Sequence, residues 1–333
     1  MNDIFMYKYP IDQCDISDKA KGESFRQMRM KWVKWLHGEG PHSISRQISS
    51  ILWDYALFIS VNELRRIATE EPERDVGING PVLHLFDAGF VTTQAVAIRR
   101  LIEKPNKNPQ RAIISLRRVL KEIEENLELM TRENYVCNDG LPYDYYLVYQ
   151  RWLSSLPNGV HSGSLPTYGP NAFDMSERVH KNFDILAQVD PKERSRSDRI
   201  KIEILEYLES EIKKCENIKK YVDKFIAHAA APETRASLSN EEKGITLEHL
   251  EICHKIIYQV ASFISGQLLW ESNLGGLPVP QYNHLENLDK KWTTPKKLEK
   301  AHKKWDEYKK EVSRWDSTSL WPPGFKIDWA NKP

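Results

Sequence analysis

The sequence predicts an all-α fold on three observations. Apolar residues recur at three- and four-residue steps along most of the chain, Gly and Pro clusters separate those runs, and no β-rich region competes with them. The chain has 333 residues, 40% of them hydrophobic, which suffices for a buried core. It reads as one domain in three parts: an N-terminal helical segment (1–41), a helical bundle (42–275) and a basic, Trp-rich C-terminal extension (276–333).

The first helical run spans Ser17 to about His37, carries Phe25, Met28, Trp32 and Trp35 or Leu36 near helical spacing, and breaks at Gly38, Gly40 and Pro41. A second begins near Ser43 and continues through Ile48, Ile51, Leu52, Tyr55, Ile59 and Leu64, as one buried face requires. Runs over Phe86–Glu103 and Arg111–Met130 follow, joined by the turn-rich KPNKNPQ, which suits an antiparallel pair. Residues 136–171 are rich in Gly, Pro and Tyr and show no sustained helical period, so a long loop is expected there, as a folded flap or a mobile lid.

A helix is expected over Ala172–Gln188. Asp190-Pro191-Lys192-Glu193 then has the form of an N-cap, a proline at the first helical position and a capping-box acid. The helix it opens is expected to run unbroken to about Ala230, with Ile204, Leu208, Ile212, Cys215, Ile218, Val222 and Phe225 or Ile226 on its buried stripe. Thr246 caps another, with Leu250, Cys253, Ile257, Val260 or Ala261 and Ile264 inward. Thr294-Pro295 starts a short basic helix. Trp292, Trp305, Trp315, Trp321 and Trp329, half of all the tryptophans, fall in this last part.

Lys and Arg (48) nearly balance Asp and Glu (47), so any nucleic-acid surface must be a local one. Cys14, Cys137, Cys215 and Cys253 are scattered without a C-x-x-C pair, which argues against a disulfide framework or a cysteine-rich zinc site. The amino terminus lacks the pattern of a signal peptide, and no stretch approaches the ~20 apolar residues that span a bilayer. A cytoplasmic protein with no membrane segment is expected. No P-loop, dinucleotide glycine fingerprint, H-E-x-x-H or G-x-S-x-G motif is present, and neither a cofactor nor a metal is expected.

The segment most suggestive of chemistry is Tyr221–His228, YVDKFIAH. On a regular helix Tyr221, Lys224 and His228 share one strip at the edge of the apolar stripe. A histidine there, near lysines, tends to stay neutral and can accept a proton. The plainer role is a helix-ending histidine bonded to backbone carbonyls.

This segment resembles the signature of the HEPN superfamily, in particular its abortive-infection AbiU-like branch. That signature is an arginine, a small polar residue, and a short spacer ending in histidine. Asp223 matches the polar position, Lys224–Ala227 the spacer and His228 the histidine. VTTQAVAIRRLIEK (91–104), AIISLRRVLKEI (112–123) and LMTRENYV (129–136) are similar to the helical core preceding it, so that the likeness covers roughly residues 45–270. It implies a HEPN-like up-and-down helical bundle that acts as a homodimer. It also implies a metal-independent ribonuclease of phage defence, in which the RNA 2′-hydroxyl attacks the adjacent phosphate. His228 would be the general acid/base, with Asp223 and Lys224 beside it.

Val222 stands where the family has its arginine. Proton transfer is thus provided for, whereas stabilisation of phosphoryl charge is not. Lys219, Lys220 and Lys224 are candidates to replace the arginine, though a lysine lacks its planar fork. Arg99 and Arg100 could reach in from the preceding helix pair. Arg99, Arg100, Lys219 and Lys220 form the candidate RNA-binding set. The alternative is a catalytically lapsed RNA-binding or protein-interaction module.

Three other features have weaker claims. The arginine pairs at 65–66 and 117–118 are expected to straddle buried and solvated faces. His249, Cys253 and His254 read as a core cysteine with surface histidines rather than metal ligands. Asp289–Glu311 holds nine lysines and five acids with tryptophans between them, and its tryptophans are expected to pack on the bundle rather than bind nucleic acid.

Overall fold

The computed structural model describes residues 7–68, 80–106, 108, 112–156, 165–227, 231–236, 239, 244–271, 274, 280, 282–286, 295–317, 320, 321, 324 and 325. Their architecture is all-α, with no strand among the described residues beyond one isolated bridge, Thr131 to Arg199.

The long helices follow the apolar periodicity. Helix α1 (Lys19–His37) starts where the Asp18 carboxylate accepts from the Lys21 amide, and buries Phe25, Trp32, Val33 and Leu36. Helices α2 (Ile44–Ala68) and α3 (Gly80–Ile102) pack against each other. Helix α4 (Leu116–Glu125) begins later than expected. The Ser115 hydroxyl accepts from the Arg118 amide there, and residues 112–115 before it are not helical. Helix α5 (Arg132–Cys137) is capped by Thr131 and is buried along its whole length, with α7 (Phe173–Ala187) against it.

Two expectations fail. Residues 136–171 are not all loop: α6 (Tyr145–Ser155) lies within them and packs on α7. Tyr145, Val148, Tyr149 and Trp152 form its inward strip, but Tyr146, Leu147 and Leu153 are exposed between them and mask the period in sequence. Loop residues on either side are pinned by Tyr9. A Cβ on Gly140 or Gly169, both at positive φ, would come within 2.6 Å and 2.1 Å of its ring and hydroxyl. Residues 157–164 lie outside the described part.

The second failure is the long helix expected from residue 190. Asp190 does cap, but only the short 3₁₀ turn Pro191–Glu193. Residues 194–201 are then non-helical, with a turn at Arg196–Ser197, and the Arg132 and Glu133 amides donate to the Asp198 and Arg196 carbonyls. The remaining length is divided into α8 (Ile202–Lys213), α9 (Glu216–Tyr221) and a π turn, Val222–Ile226. Arg117, expected at a face boundary, is instead buried (3% exposed) and spans the α8–α9 break, bonding Glu209, Glu216 and the Ile102 carbonyl.

After the short α10 (Pro232–Ala236), helix α11 (Leu247–Phe263) is the central element, packed against α2, α3, α4, α8 and α12 (Pro295–Ser317). Thr246 and His249 form a reciprocal capping box at its start. Helix α12, longer than expected, lies along α2. Trp305 meets Trp53 edge-on at 5.2 Å, Tyr308 lies 4.8 Å from Tyr55, and Trp315 is buried. One apolar core therefore runs from Cys14 in the N-terminal segment to Trp315.

Candidate functional site

Helix α3 ends beside α9 and the π turn. Arg99 in its last turn donates from Nε to Asp223 Oδ1 at 2.6 Å, while Lys219 Nζ reaches Asp223 Oδ2 at 2.9 Å. Glu103, one turn beyond Arg99, closes the ring at 3.5 Å from the guanidinium and 3.7 Å from Lys219. All four side chains are roughly a fifth to a third exposed, so the ring is open to solvent on one side. Partial burial pushes the Asp223 carboxyl up, but the hydrogen bonds and charges of Lys219 and Arg99 outweigh it and hold it below its ordinary value.

A cleft of about 580 Å³ adjoins this ring, between the start of α2 and the end of α3. Arg99, Arg100, Glu103 and Lys104 line one wall, and His42, Gln47 and Asn106 contribute polar groups. Arg100 and Lys104 are exposed and make no ion pair among the described residues. The ring's two cations balance its two carboxylates, so these two side chains leave the cleft net positive. Such a surface suits a phosphate group.

Arg99, Lys219 and Asp223 thus come together as the sequence suggested. Arg100 lines the adjoining cleft, Lys220 is exposed and outside the ring, and Lys224 is half-buried with no ion pair among the described residues. His228 lies outside the described residues. The regular helix expected to carry Tyr221, Lys224 and His228 on one strip does not hold over Val222–Ile226, where the turn is π. The Ala227 amide bonds the Val222 carbonyl at 2.7 Å, which widens the turn, and the Tyr221 and Phe225 rings stack at 4.9 Å. Val222 is a core residue, 1% exposed, so its side chain faces away from the polar ring.

Glu103, Lys104 and His42 were missed in sequence. Glu103 has the four-residue spacing from Arg99 that marks a helical ion pair. No sequence signal joins His42 to the end of α3.

The other candidates resolve into structure. Arg65 pairs with Asp87 and Arg66 with Glu63, while Arg118 bonds Glu122 and lies over the Trp35 ring. His249 is spent on its cap, and Cys253 lies against Cys215. His254 is not at the surface as expected. It is wholly buried edge-on to Tyr55, and burial lowers its pKa to about 3. Among the described residues no group of three His, Cys, Asp or Glu side chains is placed to hold a metal ion, and no helix is long and apolar enough to cross a membrane.

No family model matches the chain, and neither a curated protein nor a solved structure is significantly similar to it.

Proposed function

We propose that this protein is a HEPN-like, metal-independent endoribonuclease of phage defence, acting in the cytoplasm as a homodimer. His228 takes the proton from an RNA 2′-hydroxyl. As the O2′–P bond forms and the P–O5′ bond breaks, the leaving oxygen is protonated by the second protomer's histidine, giving a 2′,3′-cyclic phosphate. The observation that carries this reading is the 2.6 Å bond from Arg99 to Asp223. It sets a guanidinium, with its planar fork, beside the signature segment although Val222 cannot supply one. Arg100 and Lys104 in the adjoining cleft would hold flanking phosphates.

One observation favours the second reading, a lapsed RNA-binding or protein-interaction module. Arg99 is already engaged by both Asp223 and Glu103. The test separates the two. Wild-type, His228→Ala and Arg99→Ala proteins are incubated with a mixed RNA pool in EDTA, and their mass is measured by light scattering. Cleavage by a wild-type dimer that both variants lose is the expected result. RNA retention without cleavage supports the lapsed module, and a strict monomer or equal cleavage by all three overturns the composite site.

A further inference from the structure

We propose that the outward face of α6 is where a second copy of this chain docks, the two α6 helices lying antiparallel across a twofold axis. Helix α6 turns one strip inward onto α7, while Tyr146, Leu147 and Leu153 on its other side are 62%, 58% and 40% exposed. Asp144 and Arg151 are the only charged residues between 144 and 156. An exposed helix face with large apolar side chains and few charges has the composition of an interface core.

The order of these side chains identifies the occupant. A twofold contact joins one surface to itself, so every group must find its complement at the symmetry-related position. On a seven-residue helical repeat Leu147 and Gln150 take the two central positions, Asp144 and Arg151 share one flank, and Tyr146 and Leu153 share the other. When two such helices run antiparallel, the central positions alternate and each flank faces its own copy. Leu147 then lies against the partner's Gln150, and Tyr146 against the partner's Leu153. On the other flank Asp144 meets the partner's Arg151, twice by symmetry. Seven residues make two turns, about 10.5 Å along the axis, so both ion pairs fit one helix contact.

Both charged groups are available for this. Asp144 stands at the N-cap of α6 but makes no capping bond, and Arg151 donates only from Nε, to the Leu147 carbonyl of its own helix. Neither forms an ion pair among the described residues, and the terminal nitrogens of Arg151 suit a carboxylate. The ring of Arg99 and Asp223 is carried by α3 and the π turn, whereas α6 packs on α7, so this face is separate from the candidate site. One helix pair should bury less than the roughly 1,200 Å² of a standard interface, which makes the association concentration-dependent.

Sedimentation of the full chain over a concentration series, without RNA, reads the association directly. Wild type should associate reversibly. Asp144→Arg and Arg151→Asp each bring like charges together at two places per pair, and each should weaken self-association about a hundredfold. Both substitutions in one chain restore opposite charges and should return the affinity to within about threefold of wild type. An equimolar mixture of the two single variants should also associate, because one carries two positive groups on that flank and the other two negative ones. Both positions are exposed, so every variant should melt close to wild type. Single variants that associate as wild type does, or a mixture that stays apart, would overturn the proposal. A wild-type chain that stays monomeric throughout would overturn it too, and leave the face to a different occupant. The ribonuclease reading is tested separately, since His228→Ala should still associate through α6. If the composite site also pairs chains, the two twofold contacts give a four-chain assembly that either charge reversal cuts to two.

Discussion

Two arginine–carboxylate clusters in this molecule use the same chemistry in opposite settings. Arg132 and Asp184 are wholly buried, 2.7 Å apart. Arg132 also bonds Asp198 at 2.8 Å, and Arg194 grips Asp184 with two hydrogen bonds. Their role is to fasten the non-helical stretch 194–201 to α5 and α7. The ring of Arg99, Glu103, Lys219 and Asp223 is equally well paired but open on one side, beside a cleft with further cations. Desolvated charges stabilise only as an intact set and cannot be lent to a ligand. Partly exposed ones contribute little to stability and can exchange a carboxylate for a phosphate. Burial, not composition, separates a structural clamp from a candidate site.

Substitutions sharpen that contrast, and stability effects should rank by burial. Arg132→Met takes one cationic partner from each of two carboxylates, one of them fully buried and left to Arg194 alone, and should cost about 3 kcal/mol in urea unfolding. If it costs less than about 1 kcal/mol, the clamp is not structural. His180 comes next. Burial first, then the charges of Arg194 and Arg132, lower its pKa from 6.5 to about 3. The unfolded chain therefore binds a proton that the folded one refuses. Stability from the neutral ring is complete above about pH 6.5 and falls away as the pH drops from there towards 3, by the order of 2 kcal/mol near pH 4.5. A His180→Gln protein should show a flatter urea midpoint over that range.

Arg99→Met should lie within about 1 kcal/mol of wild type in the same assay, yet lower RNA cleavage by about a hundredfold. Comparable losses of stability and activity would instead make the ring a second clamp. The smallest effect belongs to Asp223→Asn. Its carboxyl is depressed on folding, so its contribution exists above about pH 4 and disappears as the pH falls through the folded value. Partial exposure makes it salt-sensitive as well. About 1 M NaCl should abolish the wild-type advantage over Asp223→Asn in melting temperature while leaving the difference between wild type and Arg132→Met.

The parts of the fold legible in sequence are those fixed locally. Helices α1, α2, α7 and α11 follow amphipathic spacing, and the Asp18 and Thr246 caps fall where the sequence marks them. What stayed hidden depends on distant partners. The stretch 194–201 is kept out of a helix because the Arg132 and Glu133 amides capture two of its carbonyls, and α6 survives by packing on α7 with little of its own surface buried. At the candidate site the likeness to the signature pointed to Asp223, and α3 provided Arg99. The cleft and His42 depended on where the start of α2 falls, which no spacing in the sequence encodes.

The seating of α12 on α2 has a consequence in time. Trp53 and Tyr55 find their aromatic partners in Trp305 and Tyr308, roughly 250 residues later in the chain, which a ribosome reaches only after about 12–50 s. Through that interval the face of α2 awaiting α12 is uncovered. Synthesis of this protein therefore includes a window in which a chaperone, or a neighbouring nascent chain, can occupy the place that α12 will take.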